Sequence, residues 1–493
     1  MSVPSTSAPA PRPHLRGRLI VRLRSGEAAP HIQTLRDIRR GAGVPALSLG
    51  APRVDRAIRT ATSGMLVARA YPAAARQRRL AESHVGYDAV EEELGMSRTF
   101  RIAMSPDADM PALAAHLLDL DEVEAASPMY LSQAPLAPAS ASLPARPRPV
   151  SGEAIYDLIG ADRARAIEPG DGAVLLGLVD SGVALDHPEL SRCLRVGIDT
   201  VALEAQAMPA GMTLLTRSSA LTQRSYADDQ GHGTGCASIM AALGLAMHPG
   251  LAGESGRVIP AKALAAVLHA GGEGVSAMGS LPDIDHAVKM VIDLGARVIN
   301  LSFGTPASAL GPDDPIPHED VVRYAIARGC ILVAASGNDG DEDPFYPAAL
   351  PGVIAVGAVG LDRRPSSFSS RGPHVALSAP GENVPLAALS GYATGSGTSF
   401  AAPFVTAAAA LVYAHALRRA VPLDTDAVRR LLATSARAYP RGVDARGCGA
   451  GILDVPAALR AVDDEIDHGG LAVNLGARSP STERNGLQTT SPN

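Results

Sequence analysis

Three glycine-rich stretches of this sequence each carry one side chain suited to covalent hydrolysis. Asp180 follows the apolar run Val174–Val179, His232 stands between two glycines, and Ser399 comes shortly after another glycine pair. A serine hydroxyl is a poor nucleophile at neutral pH, so it needs an adjacent base, and an imidazole held by a carboxylate can serve. The three residues therefore predict a hydrolase in which His232 takes the Ser399 proton while Asp180 orients the imidazole and stabilises its charged form.

Two hydrogen-bond donors are predicted beside the nucleophile. Ser399 begins a helix-like segment, so its backbone N–H has no helical partner and can point at a developing oxyanion. Pro403 is expected within the first turn of that helix, where a missing N–H is tolerated. Asn338, shortly after the apolar run Ile331–Ala335, is predicted to supply the second donor through its side chain.

Each of these residues alone has a simpler interpretation. An aspartate that ends a strand is usually a cap or turn residue, a histidine in a glycine-rich loop is usually solvated, and a serine before an Ala-rich helix is usually an N-cap. Four such segments in one order are much harder to explain in that way. The alternative functions are a catalytically silent binding module and an α/β-hydrolase esterase. The esterase is disfavoured because no G-x-S-x-G surrounds Ser399.

The elements that must position these residues indicate a doubly wound α/β domain over residues 151–463, with a mostly parallel sheet flanked by helices. Short continuous apolar runs are typical of parallel strands that are buried on both faces, and helix-like segments alternate with them. The predicted strands are Val174–Val179, Val258–Ala266, Val298–Leu301, Ile331–Ala335 and Val353–Val359. The predicted helices are Thr234–Leu243, Ile284–Leu294, Glu319–Arg328 and Ser399–Arg419.

The N-terminal part has a different pattern and predicts a small α+β unit over residues 17–133. Alternating apolar and polar residues predict strands at Gly17–Ser25, Arg98–Met104 and Val123–Leu131, with helices around Ala29–Arg40 and Pro111–Leu120. No fold is assigned to Leu47–Glu93. Composition predicts a disordered lead over residues 1–16, a Pro/Ala-rich linker over 134–150 and a flexible tail over 464–493.

Further short motifs complete a resemblance to the subtilase family of serine endopeptidases, extending from about Ile155 to Val462. The motifs are Leu178–Gly182, Asp186–Leu190, Gly231–Ala237, Val298–Gly304, Ala334–Gly340, Phe368–Gly372 and Gly395–Pro403. The chain order Asp, His, Ser is the one that this fold uses. The resemblance implies a subtilisin-like fold and hydrolysis of peptide bonds through an acyl-enzyme. It implies Asp180, His232 and Ser399 as the triad, Asn338 in the oxyanion hole, and no cofactor required for catalysis.

The same resemblance implies how protein or peptide substrates bind. An extended substrate would add a strand to the protein, with Gly271–Val275 supplying an edge for the pairing. The walls of the main specificity pocket would be Ser302, Phe303 and Gly304 on one side and Ala334, Ala335, Ser336 and Gly337 on the other. Acidic residues at 339, 341, 342 and 343 follow, and such a cluster is usually a solvated face. The sharper hypothesis is a preference for Arg or Lys beside the scissile bond.

The N-terminal unit resembles the inhibitory prodomain of the family, which implies a self-processing zymogen. Its end, near Tyr130–Gln133, would occupy the active site as a product-like strand. The composition of the linker then predicts a mature N-terminus between residues 133 and 155. The alternative is a permanent accessory domain.

Two positions depart from the commonest pattern of the family. Gly235 stands where a second histidine usually follows, and Cys236 resembles the thiol-bearing branch that includes proteinase K. One helical turn separates Cys236 from His232, so its thiol is expected either under the imidazole or simply as a small buried hydrophobe. The loop Leu243–Gly250 offers no carboxylate or amide side chain, so the calcium site that many subtilases hold there is not expected, although calcium elsewhere is compatible with the sequence.

The composition limits which other functions and locations the sequence supports. The net charge of −6 gives little support for nucleic-acid binding, and the four cysteines match no zinc pattern, so no metal site is predicted. No run is expected to span a membrane. Met1–Arg24 lacks the apolar core of a secretory signal, which predicts a cytoplasmic protein, export by a non-standard route or a misassigned start. A monomer is expected.

Overall fold

The computed structural model describes residues 12–26, 32–74, 86–134, 152–215, 225–270, 274–311 and 314–471. Within these ranges the chain forms two seven-stranded sheets and two small two-stranded ones. The predicted linker beyond Ala134 and most of the predicted lead and tail lie outside the described residues.

A parallel sheet forms the centre of the C-terminal unit, defined here as residues 152–471. Its strands in spatial order are Val375–Pro380, Val353–Val359, Ile331–Ala335, Ala296–Leu301, Leu175–Asp180, Val258–Lys262 and Ile198–Asp199. The pairings between these strands are all parallel. Their apolar residues are buried because helices cover both faces of the sheet. The predicted doubly wound α/β fold is confirmed.

Helices of the C-terminal unit pack on the two faces of this sheet. Leu281–Asp293 and Glu319–Ala327 share one hydrophobic cluster with the sheet. A second cluster, on the other face, includes residues of Glu153–Leu158, Ala161–Ile167, His232–Ala241, Thr398–Arg418, Thr425–Thr434 and Val455–Asp467. The four helices predicted from the sequence are therefore present, with ends shifted by up to three residues.

The N-terminal unit, residues 12–134, is α+β, as its sequence pattern predicts. Its strands are His14–Leu23, Leu66–Arg69, Thr99–Ala103 and Val123–Gln133, and its helices are Leu35–Arg39, Pro52–Ala61, Ala89–Glu93 and Met110–Leu118. The strands pair antiparallel and bury one face against a separate cluster of apolar side chains. The stretch Leu47–Glu93, left without a fold above, contributes two of these helices and one strand.

The sheet of the N-terminal unit continues into the C-terminal unit. Val123–Gln133 pairs antiparallel with Val275–Ser280, which in turn pairs with Ala265–His269 and then Met212–Leu214. The predicted strand Val258–Ala266 is therefore wrong as one element, because its second half belongs to this other sheet. The chain leaves the parallel sheet where the N–H groups of Ala263 and Leu264 both donate to the Asp180 carbonyl.

Several other predicted boundaries differ from the structure, including that of the helix expected around Ala29–Arg40, which is Leu35–Arg39. The first strand begins at His14 instead of Gly17, so the end of the predicted lead is ordered. Ala134, assigned to the linker, is buried and hydrogen-bonded. The tail was predicted from residue 464, but the last helix runs to Asp467. The strand Val375–Pro380 was not predicted from the sequence.

The helix Thr398–Arg418, called the nucleophile helix below, is long and apolar enough to cross a membrane, which corrects the expectation that no run has this character. Most of its apolar segment, 89%, is buried inside the protein. Its composition follows from this position, since a helix buried on all sides is apolar all round. The length and composition of this helix are thus explained by the core in which it lies.

Candidate active site

Asp180 ends the central strand Leu175–Asp180 and is completely buried. Its Oδ1 accepts the backbone N–H of Ser181 at 2.7 Å and lies 2.7 Å from Nδ1 of His232. Both contacts stabilise a carboxylate that burial alone would penalise. Because Nδ1 faces this carboxylate, Nδ1 carries the proton and Nε2 is left as the basic nitrogen.

His232 begins the helix His232–Ala241, and Asp228 shapes the turn before it. The Asp228 carboxylate accepts the N–H groups of Gln230, Gly231 and Thr234 and the Thr234 hydroxyl. Gly231 has a φ of 103°, which disfavours any residue with a Cβ. These contacts fix the start of the helix and hence the position of the imidazole.

Gly233 permits the close approach of this helix to the Asp180 strand. A Cβ at this position would overlap the carbonyl oxygen of Gly182 and come within 3.0 Å of Asp180 Cβ. A glycine is therefore required for the 2.7 Å contact between His232 and Asp180.

The electrostatic environment favours the charged imidazole. Burial lowers the pKa of His232, but the negative charge of Asp180 and the hydrogen bond to it outweigh burial and raise that pKa well above 6.5. The imidazolium that forms during acyl transfer is therefore stabilised.

Ser399 lies in the first turn of the nucleophile helix, which begins at Thr398 after Gly397. Its N–H is one of the first four of the helix and has no intrahelical partner. Ser399 Oγ and His232 Nε2 are both buried and make no hydrogen bond among the described residues, so the structure contains the Asp–His bond but not the expected Ser–His bond. The His232 ring nevertheless lies beside the next residue of the helix, 5.4 Å from the Phe400 ring.

Pro403 occupies the second turn of this helix, not the first turn as predicted. A proline there cannot donate to the carbonyl four residues earlier, which is that of Ser399. The Ser399 carbonyl instead accepts the Ser302 hydroxyl at 2.8 Å and the Cys236 thiol at 3.5 Å. The lost helical bond is replaced by two contacts that tie the nucleophile to neighbouring elements.

Cys236 lies beneath the imidazole, as one interpretation of its spacing predicts. Its Sγ is 3.9 Å from His232 Nδ1, and burial raises the pKa of the thiol to about 11. Donor atoms of Asp180, His232 and Cys236 lie within 4.8 Å of one another. The thiol is neutral at physiological pH and the other two groups bond each other, so the arrangement serves proton transfer better than metal binding.

Asn338 follows the strand Ile331–Ala335 and is nearly buried. Its Oδ1 accepts the Thr398 N–H at 2.9 Å and the Thr398 hydroxyl at 2.8 Å. These contacts orient the amide with its oxygen toward the start of the nucleophile helix, so the Nδ2 donor points the other way. The orientation is compatible with a role beside the Ser399 N–H in binding an oxyanion.

The predicted pocket walls flank the nucleophile. Ser302 contacts the Ser399 carbonyl, and the Gly337 carbonyl accepts the Thr398 hydroxyl at 3.2 Å. Phe303, Ala334 and Ala335 lie deeper, in the hydrophobic clusters on the two faces of the sheet, while the Ser336 hydroxyl donates to the Ser370 carbonyl. Of the wall residues, Gly304 has a backbone that pairs with another segment of the chain, whereas the Gly337 carbonyl accepts the Ser370 N–H at 3.0 Å.

The end of the N-terminal unit pairs with the backbone of Gly304. Gly304 N–H donates to the Gln133 carbonyl at 2.9 Å, and Gln133 N–H donates back at 3.4 Å. On the other side, Ala134 N–H donates to the Ala277 carbonyl at 3.0 Å, and Leu131–Gln133 pairs with Met278–Ser280. A segment expected near the site therefore forms a strand between two protein edges. Of the predicted edge Gly271–Val275, residues 271–273 lie outside the described part.

The loop Leu243–Gly250 is built around a carboxylate instead of a cation. The N–H groups of Gly244, Leu245 and Ala246 donate to the Glu189 carboxylate at 2.7 to 3.0 Å, and the Tyr392 hydroxyl donates at 3.1 Å. Burial raises the pKa of Glu189, but these N–H donors outweigh it and lower that pKa. Backbone N–H groups that converge on an anion cannot offer oxygens to calcium.

Sequence reasoning missed the roles of Asp228 and Glu189. Asp228 stands four residues before His232, and an aspartate just before a helix signals a cap. Glu189 belongs to one of the quoted motifs, but its partner loop lies more than fifty residues away in the chain.

Comparison with known proteins agrees with this geometry. The profile of the subtilase family matches residues 171–451, a range that contains Asp180, His232, Asn338 and Ser399. The thermophilic serine proteinase of Bacillus sp. (strain AK1) is 33% identical over 258 residues, which are 51% of this chain and 55% of that protein. This chain therefore spans about half the length of that relative.

Two other relatives are matched over most of their length. The major intracellular serine protease of Bacillus subtilis (strain 168) is 33% identical over 275 residues, 51% of this chain and 77% of that protein. Subtilisin DY of Bacillus licheniformis is 31% identical over 309 residues, 62% of this chain and 97% of that protein. The family profile covers more than half of the 493 residues. The chain belongs to the subtilase family of subtilisin-like serine endopeptidases.

Proposed function

We propose that this protein hydrolyses peptide bonds with Asp180, His232 and Ser399. The observation that carries the proposal is the 2.7 Å contact between Asp180 Oδ1 and His232 Nδ1, next to a buried serine at the start of a helix. Nε2 is left to receive the Ser399 proton once the hydroxyl turns toward it. Ser399 Oγ then attacks the carbonyl carbon of the scissile bond.

The later steps use the same groups. The negative charge that develops on the carbonyl oxygen is stabilised by the Ser399 N–H and the Asn338 amide, which act in a site shielded from water. His232 returns its proton to the leaving amine, and an acyl-enzyme remains on Ser399. Water then enters and attacks the acyl carbon while it loses a proton to His232. His232 passes this proton to Ser399 Oγ as the bond to the acyl group breaks, which releases the second product and restores the serine. No metal ion or cofactor takes part in these steps.

We further propose that the chain is a self-processing zymogen whose N-terminal unit inhibits the site. The strand ending at Ala134 is bonded to Gly304 on one side and Ala277 on the other, which is how an extended peptide substrate would bind. Buried ion pairs join Arg101 to Asp283 and Glu91 to Lys289 across the two units. Each unit therefore supplies charges that neutralise buried charges of the other unit. Both features favour an inhibitor over a loosely attached accessory domain.

One experiment tests nucleophile and zymogen together. The purified full-length protein is treated with a fluorophosphonate probe and its intact mass is measured, with Ser399→Ala as the control. We expect the probe on Ser399 of a species whose N-terminus lies between residues 133 and 155, and an unprocessed, unlabelled Ser399→Ala chain. A wild-type chain that stays full length but is labelled contradicts the zymogen, and absence of labelling and of peptide hydrolysis contradicts the endopeptidase.

A further inference from the structure

A buried aromatic ring lies between the two walls of the predicted specificity pocket. Phe345 belongs to the short strand Phe345–Tyr346, which pairs antiparallel with Thr305–Pro306, so it stands next to the wall that ends at Gly304. Only 4% of its surface is exposed. A buried phenylalanine at this place fills space between the two walls.

The contacts of the ring reach both walls. A Cβ added to Gly304 would overlap Phe345 Cε1, and a Cβ added to Gly337 would come within 3.3 Å of Phe345 Cγ. Gly304 is the residue that pairs with Gln133, and Gly337 immediately precedes Asn338. The ring therefore bridges the substrate edge and the oxyanion side of the site.

Phe345 lies outside the main hydrophobic clusters. The clusters of the described residues take in Phe100, Phe303 and Phe404, but Phe345 belongs to none of them. The wall residues Gly304 and Gly337 are neighbours of its ring, so a buried phenylalanine here limits what else can enter between the walls.

We propose that Phe345 determines specificity by closing the pocket, so that the enzyme cleaves after residues with small side chains such as Gly, Ala or Ser. The proposal rests on the proposed endopeptidase activity and adds its substrate class. A large substrate side chain would have to displace a packed aromatic ring, and overfilling a packed site is unfavourable. A hydrophobic pocket discriminates by about 10-fold or more for small differences in side-chain size.

The last residues of the strand that lies in the cleft include small side chains. Ser132 and Ala134 are buried and Gln133 between them is half-buried, while the preceding Tyr130 and Leu131 are large and also buried. Ser132 Oγ accepts a hydrogen bond from the Thr305 hydroxyl at 3.4 Å. The two small buried side chains thus flank Gln133, which pairs with Gly304 beside the ring of Phe345.

A peptide panel separates this proposal from the basic preference suggested by the acidic residues after Asn338. Processed wild-type enzyme is assayed with quenched fluorescent peptides that differ only in Ala, Phe or Arg before the scissile bond, and mass spectrometry identifies the bond cut. We expect kcat/KM for the Ala peptide to exceed that for the Phe and Arg peptides by about 10-fold or more. An equal or greater kcat/KM for Phe or Arg overturns the proposal.

Variants test whether Phe345 is responsible. Phe345→Gly opens the pocket, and Phe345→Leu is a milder change in case the glycine variant folds poorly; fluorophosphonate labelling reports whether each site is assembled. We expect either variant to raise kcat/KM for the Phe peptide relative to the Ala peptide, by about 10-fold for glycine. Phe404→Leu, a buried aromatic that packs on Tyr156, is the matched control and should leave the ratio unchanged.

The outcomes separate the role of Phe345 from the endopeptidase activity. A ratio that stays the same in a labelled Phe345 variant overturns the role of Phe345 while the endopeptidase stands. A wild-type protein that neither reacts with the probe nor cuts any peptide overturns the endopeptidase, and the specificity with it.

Discussion

At the scale of single residues, the site depends on backbone groups as much as on the three side chains. Pro403 removes the helical hydrogen bond to the Ser399 carbonyl, and Ser302 and Cys236 replace it. An ordinary helix residue at position 403 would supply an N–H that competes for the same carbonyl. The proline therefore lets the first turn be held from outside the helix, by elements that also form the pocket.

The raised pKa of His232 predicts the pH dependence of catalysis. The general base must be neutral, so activity falls as pH drops through the pKa of His232, which Asp180 holds well above 6.5 despite the opposing effect of burial. We expect the acidic limb of kcat/KM to have its midpoint above pH 6.5. Initial rates at low substrate concentration across pH 5 to 10 give this midpoint.

Cys236→Ala provides the control for this profile. Burial raises the pKa of the thiol to about 11. Cys236 contributes less than Asp180 to the raised pKa of His232, so removing the thiol should move the acidic limb only slightly toward lower pH. A wild-type midpoint at or below 6.5 would show that Asp180 does not govern the titration of His232.

The identities of these residues could be predicted from sequence, but their orientations could not. Asp180 and His232 stand where an apolar run ends and a helix begins, and that local signal suffices to nominate them. The turn of the helix that contains Pro403 is predicted wrongly, because the helix begins at Thr398. The Thr398 N–H is bonded to Asn338, which lies sixty positions away in the chain. The absent Ser399–His232 hydrogen bond depends on side-chain rotation, which no sequence pattern encodes.

At the scale of elements, the loop Leu243–Gly250 replaces a cation site with an anion site. Its N–H groups converge on Glu189 instead of turning carbonyl oxygens inward. The sequence shows that side-chain oxygens are missing from this loop, but only the structure shows which charge the backbone surrounds. The loop is thus stabilised by a residue of the protein itself.

Glu189→Gln is therefore expected to destabilise the protein independently of calcium. The change replaces charge-assisted hydrogen bonds by weaker ones and turns an amide donor toward backbone N–H groups, for a loss of about 2–4 kcal/mol in the free energy of unfolding. Thermal unfolding in a Ser399→Ala background, which prevents autolysis, should show a Tm lower by roughly 3–6 °C.

The control variant for this loop is Tyr392→Phe, which loses one hydrogen bond to Glu189 and should cost only about 1 kcal/mol. Calcium and a chelator should not alter the Tm difference between Glu189→Gln and its parent. A Glu189→Gln protein as stable as its parent, or one rescued by calcium, would contradict the anion-centred loop.

Strands were predicted correctly where burial on both faces made them apolar throughout. Ile331–Ala335 and Val353–Val359 were predicted with the observed ends, because strands buried on both faces are apolar throughout. Val258–Ala266 is apolar except for Lys262, yet it divides between two sheets. Both sheets bury it, and its composition does not show where the chain passes from one sheet to the other. The stretch Leu47–Glu93 contains short helices and one strand, and these elements are too short to show a clear hydrophobic period.

At the scale of the whole molecule, the N-terminal unit completes the sheet of Val275–Ser280 and covers the helix Leu281–Asp293. The face of this helix that carries Asp283, His286 and Lys289 meets the N-terminal unit, where Arg101 pairs with Asp283 and Glu91 with Lys289. These contacts join residues about 180 to 200 positions apart. No local pattern predicts them, so the fold class of the unit could be predicted from the sequence but its docking surface could not.

His286 lies buried in this interface without a hydrogen-bond partner for Nε2 among the described residues. Burial, followed by the positive charges of Arg101, Arg36, Lys289 and Arg39, lowers the pKa of His286 well below 6.5. Arg101, Lys289 and Arg39 already have partners in Asp283, Glu91 and Asp199. A proton on His286 would thus add a charge that nothing nearby neutralises.

Docking of the N-terminal unit should therefore weaken on acidification. His286 has its ordinary pKa of about 6.5 when exposed and a lower one when docked, so its contribution is full above pH 6.5 and is lost as pH falls below that value. Below pH 6.5 the loss approaches about tenfold per pH unit in the docking equilibrium, until the pH reaches the lowered pKa of docked His286. Asp199 acts in the opposite sense, because burial raises its pKa to about 6 and it gains a proton on docking.

Comparison with His286→Gln isolates the histidine from Asp199 and the other carboxylates. In the unprocessed Ser399→Ala chain, amide-exchange protection of Val275–Ser280, corrected for intrinsic rates at each pH, measures how often the covering strand leaves. We expect protection to fall more steeply between pH 6.5 and 5 in the parent than in His286→Gln, by up to about tenfold per pH unit. Equal slopes in the two proteins would mean that the imidazole stays neutral in both states and that release of the N-terminal unit is insensitive to His286.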